Sequence, residues 1–490
     1  MLFTSIEFAA FLTTVFLIYW LVLNRNLQIQ NIFLLTAGYF FYGYWDWRFL
    51  LLLIAMSLIN YAIGLQINRF QNLGVKKFWF ISGLIMDIGV LSVFKYFNFF
   101  IDSLIDLVSV FGYDISRSTA SIVLPIGISF YVFLSLSYII DIFRDNLKAN
   151  KNIIEVLLAL SFFPIILAGP IQRPISLIPQ ITRERVFSYN SAVNGLRQIL
   201  WGLFVKIAVA DNFAPETDKI FLNVSDFSGS TILLGALLYT IQIYADFSGY
   251  SHIAIGTGRL FGFSLMQNFN YPYFARDISE FWKRWHISLT TWFRDYLFLP
   301  IAFALSLKIS RQRILYIKTD LFIYIVASLV TWLLTGLWHG ANYTFIMWGL
   351  LNGILLILYY WHRKPRKLVL KSLGIKYNNK LLAVAEGIMT FTVIVFFWII
   401  FRSDSLSHSW QYISCIFSRS ILSFPDFIPK TALVTTGLFI ILEFIQKDKQ
   451  HALQIERINN RSLRWAVYVG LVLIIMFFGG GAEKFIYFQF

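Results

Sequence analysis

Charge is scarce in this sequence and cysteine almost absent. Only 14% of the 490 residues are charged, against about a quarter in ordinary soluble domains. The single cysteine, Cys415, excludes an intrachain disulfide and a cysteine-built metal site, and a lone thiol in so apolar a chain reads as a small filler. Several chemical signatures are missing too. There is no G-x-S-x-G nucleophile elbow, no H-E-x-x-H pair, no Walker phosphate loop and no dinucleotide-binding glycine fingerprint. None of the six histidines is followed by Asp at the fifth position, so the His–Asp motif of glycerolipid acyltransferases is absent. Metal, serine-hydrolase and nucleotide-driven chemistries lose ground, and no metal site or bound cofactor is expected.

What the chain has in abundance is apolar and aromatic surface: 58% hydrophobic residues, with 51 Phe, 25 Tyr and 15 Trp. A soluble core of this length could not use so much, whereas a bilayer removes the need for a polar exterior, and aromatic rings are favoured at its interface. Runs approaching the 20 or so residues that a spanning helix needs fall near 2–23, 31–45, 49–67, 78–100, 122–143, 152–168 and 192–211. Others fall near 230–247, 293–307, 319–338, 341–361, 381–402, 431–446 and 466–479. Several are short or carry charges, so some are expected to be tilted or re-entrant. Met1–Leu23 lacks the basic start and small-residue cleavage site of a signal peptide and reads as a retained first span. The net charge of +15 sits in short gaps, such as Arg363, Lys364, Arg366 and Lys367. Cytoplasmic loops under the positive-inside rule have that distribution, and no nucleic-acid-binding pattern is present. With no linker and no visible repeat, residues 1–490 read as one polytopic, all-α integral membrane domain.

Two stretches break the pattern. Residues 168–190 mix proline with basic and apolar residues, and 264–296 interleave aromatic residues with Arg, Lys, Asp and His. Irregular polar backbone at membrane depth survives only where protein or a water-filled cavity surrounds it. His339 lies in a charge-free stretch from Leu321 to Trp361 that basic clusters bracket. The reading is a helical hairpin with His339 at its non-cytoplasmic turn or in a broken-helix pocket, the break eased by Gly340 and Asn342. Such a histidine faces a cavity or bonds across helices. A near-neutral pKa suits it to acid–base work, and the residues alone leave both readings open. His286 sits where Phe281, Trp285, Leu289, Trp292 and Tyr296 fall at helical spacing. On pattern alone this is an interfacial helix with an aromatic belt, flanked by Lys283, Arg284, Arg294 and Asp295; the alternative is the wall of a reaction cavity. Asp246 is an intramembrane carboxylate, equally readable as functional or as the partner of a structural cation, and Tyr250 belongs to the same polar cluster.

The segments LPIGISFYVFLSLSYIID (124–141), FFPIILAGPIQRP (162–174), DFSGYSHIAIGTGRLFGF (246–263), QNFNYPYFARDISEFWKRWHISLTTWFRDY (267–296) and TGLWHGANYTFIMWG (335–349) resemble the membrane-bound O-acyltransferase family. The opening MLFTSIEF and closing EKFIYFQF resemble its bacterial alginate O-acetyltransferase branch. WKRWHISLTTWFRDY and LWHG together carry most of the specificity. The resemblance implies a ring of tilted transmembrane helices around a thin central waist, with a tunnel or funnel converging on a catalytic histidine. It matches His339 to the family's essential histidine and His286 to a second position, with catalytic segments near 246–300 and 335–349. Asp246, Tyr250, Asn268, Trp285, Arg294, Asp295, Trp338 and Asn342 are then candidates for lining the substrate path.

The resemblance further implies an acyl thioester donor on the cytoplasmic side, acetyl-CoA being the expected one. The acceptor would be an extracytoplasmic glycan reached through an SGNH-type acetyltransferase or esterase partner, and the location the bacterial inner membrane. His339 is expected to act as general base on the incoming hydroxyl, with His286 orienting or polarising the same centre. Two alternatives stand beside this: D-alanyl transfer to teichoic acid from a carrier protein and, from another class, a proton-coupled transporter or flippase using Asp246 and the histidines.

Overall fold

The computed structural model describes residues 1–113, 122–314, 316–376, 379–456, 458–479, 481, 483, 485 and 486. The quoted closing segment EKFIYFQF therefore lies partly outside the described residues. Eight helices among those described are long and apolar enough to cross a membrane: Trp47–Arg69, Leu73–Ser109, Tyr189–Leu222, Gly229–Leu260, Thr319–His339, Tyr343–Ser372, Lys380–Arg402 and Arg461–Phe478. Shorter apolar helices occupy Ile6–Val22, Ile128–Phe143, Ile153–Ile166 and Ala432–Ile445. The protein is thus an all-α, multi-pass membrane protein; the strands found are the two-residue pair Arg313–Ile314 and Ile317–Lys318, antiparallel. The polar residue just before many of the apolar runs starts its helix. The side chains of Asn26, Asp46, Asn72, Asn152, Asn342, Asn379 and Asn460 each accept a first-turn N–H, satisfying donors that no helical carbonyl can reach.

Three expected spans take another form. The run at 122–143 becomes helical only at Ile128, after Gly127 turns the chain with φ 78°; a Cβ there would collide with the Ile166 carbonyl. The run at 152–168 is two short buried helices, Ile153–Leu160 and Phe163–Ile166, with Pro164 opening the second, where its missing N–H costs nothing. The run expected at 341–361 is a single helix from Tyr343 to Ser372, so the basic cluster Arg363–Lys371 is helical and not a loop.

The chain divides into two compact units, Met1–Ile199 with Tyr250–Met266, and Leu200–Gly249 with Gln267–Phe490. In the first, Ile128–Phe143 is buried along nearly its whole length. Trp47–Arg69 meets it where Gly64 makes room for Tyr138, and Asn60 donates to Asp87 at 2.8 Å across to Leu73–Leu91. The FFPIILAGPIQ stretch is buried here, whereas Arg183 and Glu184 beyond it are exposed. Arg185 turns inward to donate to Asn31 Oδ1 at 2.6 Å. In the second unit, Thr319–His339 and Tyr343–Ser372 form the hairpin that the charge pattern implied. Their backbones touch: a Cβ on Gly336 would strike the Phe345 carbonyl, and one on Gly349 the Trp332 carbonyl. Small residues permit such contact between membrane helices.

Candidate active site

His339 is the last residue of its helix; Gly340 is extended, and Asn342 caps the next helix by accepting the Thr344 N–H. The imidazole is buried and held edge-on by Trp338, Trp348 and Phe401, with ring centroids 5.0, 5.1 and 5.2 Å away. Three aromatic walls leave a small side chain few orientations.

His286 is placed differently. The expected continuous helix is broken at Trp285–His286 into Ile278–Arg284 and Ile287–Phe293, with His286 in the left-handed region at φ 42°. The cause is the extended segment beside the break. The Asn270 N–H donates to Arg284 O at 2.9 Å, and the Ile287 N–H to Asn268 O at 2.8 Å. The aromatic row Phe281, Trp285, Leu289, Trp292 and Tyr296 is buried, so this segment is an interior wall and not an interfacial belt. Asn268 also fixes the ring: its Oδ1 lies 2.9 Å from His286 Nδ1 and accepts the Ser288 hydroxyl at 2.9 Å. A carbonyl oxygen cannot donate, so Nδ1 carries the proton and Nε2 is the acceptor nitrogen. Burial holds the pKa of His286 well below the usual imidazole range, which keeps the ring neutral.

Both histidines line one cavity of about 400 Å³. Its floor along Thr319–His339 is a stripe that sequence reading missed: Tyr324, Ser328, Thr331 and Thr335 lead up to His339, at intervals of four, three, four and four residues. That spacing keeps five polar groups on one face of an otherwise apolar helix, over about 22 Å of helix length. The signal was available as a helical period of hydroxyls, hidden because threonine and serine are ordinary in membrane helices. Across the cavity stand Thr290, Thr291, Lys283 and Arg294, with Trp282 and Trp332 as apolar wall.

Of the expected path residues, Trp285 and Arg294 line this cavity with the two histidines. Asn268 holds His286, and the Trp338 ring lies 6.0 Å from that of His286 and 5.0 Å from that of His339. Asn342 shapes the turn after His339 and donates to Asp404 O at 2.9 Å. Asp295 accepts from Arg294 Nε at 2.7 Å. Asp246 and Tyr250 are not cavity-lining. Tyr250 belongs to the first unit and stacks on Phe3 at 4.9 Å. Asp246 is paired with Lys206 at 2.7 Å, and Lys206 with Asp211 at 2.5 Å, all three buried. Reading by segment left the lysine partner unseen, since it sits 40 residues earlier in a π-helical turn, Phe204–Ala210.

A multi-pass helical protein with two caged histidines facing a hydroxyl-lined cavity has the makings of an enzyme that moves protons on and off a small reactive group at membrane depth. Residues 143–401 match the membrane-bound O-acyltransferase family. The chain is 38% identical to the probable alginate O-acetylase AlgI of Pseudomonas aeruginosa, over 85% of this chain and 75% of that protein. It is 27% identical to the peptidoglycan O-acetyltransferase of Helicobacter pylori, over 99% and 97%. To the teichoic acid D-alanyltransferase of Bacillus subtilis it is also 27% identical, over 58% and 70%. The chain belongs to the membrane-bound O-acyltransferase family and is a membrane acyltransferase, which sets the transporter reading aside.

Proposed function

We propose that this protein takes an acetyl group from a cytoplasmic thioester, acetyl-CoA, and delivers it for O-acetylation of a polysaccharide outside the bacterial inner membrane, through an SGNH-type partner. The observation that carries the reading is the single cavity shared by His339, His286 and the hydroxyl stripe. The 38% identity to a probable alginate O-acetylase, against 27% over a shorter stretch to a D-alanyltransferase, favours acetyl over D-alanyl.

In the mechanism this supports, His339 takes the proton of an acceptor hydroxyl as its oxygen attacks the thioester carbonyl. The tetrahedral intermediate collapses, the C–S bond breaks, and the departing thiolate recovers the proton. The stripe offers hydroxyls along the approach, matching a slender amide-bearing donor arm better than a lipid tail. Thr335 donates its own proton back to Thr331 O at 2.8 Å and so presents lone pairs to amide N–H groups. Polarising the carbonyl, the role expected of His286, needs a donor on the cavity side. A neutral ring with Nε2 as acceptor instead suits receiving and orienting the hydroxyl, with Asn268 fixing the tautomer.

The test uses inside-out vesicles holding the partner or glycan acceptor in the lumen, with labelled acetyl-CoA added outside. Label on the luminal acceptor with free CoA outside is expected. Acetylation confined to acceptors on the donor's own side would overturn the relay, and turnover only with a carrier-protein D-alanyl thioester would replace acetyl transfer by D-alanylation.

A further inference from the structure

Asp246 fits the sequence profile of a path residue, yet its carboxylate is consumed by the buried cluster. Oδ1 pairs with Lys206 at 2.7 Å, and Oδ2 accepts the Ile486 N–H at 2.7 Å. Lys206 also donates to Glu483 O at 3.3 Å, and nearby Asn212 donates to Phe478 O at 2.5 Å. Three ionisable groups and the backbone groups of Glu483 and Ile486 are therefore tied at one point inside the protein, an expensive arrangement at membrane depth that does not touch the cavity.

What it does touch is the helix that backs His286. Phe247 follows Asp246 directly, and its ring meets the His286 imidazole edge-on, at 4.6 Å and 89°. Phe485, beside the tethered Ile486, lies 5.7 Å behind Phe247. One turn on, a Cβ at Gly249 would lie 2.8 Å from Gly202 O and 2.9 Å from Lys206 N, so the two helix backbones are in contact where the ion pair forms. Successive residues on a helix point about 100° apart, so clamping Asp246 fixes the direction of Phe247. A histidine at positive φ keeps that conformation only when its surroundings over-determine it; Asn268 holds His286 on one side and Phe247 on another.

We propose that the Lys206–Asp211–Asp246 cluster, with the Glu483 carbonyl and the Ile486 N–H it binds, is a positioning device that holds His286 in register through Phe247. Asp246 and Phe247 are then positioning residues, a role that rests on the acyl-transfer reading of the cavity. A double-mutant cycle separates positioning from general support of the fold. Asp246→Asn and Phe247→Leu, the second leaving every ion in place should the first fail to fold, are each made in wild type and in His286→Gln, and assayed for acetyl transfer in detergent. Each is expected to lower kcat by about tenfold with KM for acetyl-CoA within about twofold, and to lower the residual rate of His286→Gln by less than about twofold. Equal fold-losses in both backgrounds overturn the proposal. A second readout needs no turnover: the rate at which diethyl pyrocarbonate modifies His286, followed by mass spectrometry of its peptide. A changed rate in both variants supports positioning, an unchanged rate overturns it. Because this rate does not depend on acetyl-CoA, it decides the positioning role even if wild type fails to use that donor, a failure that would count against the acyl-transfer reading alone.

Discussion

The second unit holds two buried polar constellations that meet the cost of burial in opposite ways. The Lys206–Asp211–Asp246 cluster satisfies its charges internally, with partners at 2.5 and 2.7 Å, and encloses no substrate space. The His339–His286 site carries no buried ion pair between its histidines; its polar groups turn toward a cavity of about 400 Å³ and are caged by aromatic rings. The difference separates holding from reacting. Groups paired with one another hold the fold, and side chains that line a cavity stand where a substrate can reach them.

The largest expected effect breaks the comparison on the reacting side. His339→Ala should lower acetyl transfer by about 10²–10⁴-fold, the usual cost of losing a positioned general base, with insertion and melting temperature near wild type. An activity above half of wild type would remove His339 from the chemistry. On the holding side, Lys206→Ala leaves two buried carboxylates facing each other and should cost about 3–5 kcal/mol of stability, read as a lowered melting temperature in detergent. A shift of only a degree or two would mean that water reaches the cluster. Smaller again, Thr331→Val and Thr335→Val keep the shape of the stripe and remove its hydroxyls. Each should raise KM for the thioester several-fold while kcat stays within about twofold, because a hydrogen bond made equally in ground and transition states changes binding alone. A loss confined to kcat would take the donor off this helix face.

The smallest effect is in pH. His286 has its pKa lowered by burial, whereas an unfolded histidine titrates near 6.5. Below that value the unfolded chain binds the proton that folded His286 refuses. Stability from this residue is therefore full above about pH 6.5 and declines as pH falls beneath it. Melting temperature between pH 7.5 and 5.5 should fall more for wild type than for His286→Gln. Identical slopes would mean that His286 is already solvated.

The hairpin was legible from sequence because two independent signals agree on it: a charge-free stretch long enough for two helices, and a Gly340–Asn342 break where an extended residue and a cap are needed. His339 came with it. The break at His286 was not legible, since it depends on Asn268 and Asn270 lying alongside, and a helical period survives a one-residue interruption well enough to look continuous. Asp246 is visibly costly in the sequence but its use is not, because a partner 40 residues away and a backbone N–H 240 residues away leave no trace in local pattern. The runs at 122–143 and 152–168 take another form for a related reason: apolar content measures burial, and inside a helical membrane protein a segment can be buried by neighbouring helices as completely as by lipid.

The contact between Gly336 and Gly349 sets a size limit. Hairpin helices whose backbones touch cannot come closer together, so His339, one turn beyond that contact, and the Trp348 ring 5.1 Å from it stand in a close-packed end of the hairpin. An acyl group arriving there meets a surface that does not yield, as close-packed interiors do not. On the acyl-transfer reading proposed above, a chain longer than the space before that surface would hold its thioester carbonyl short of the imidazole.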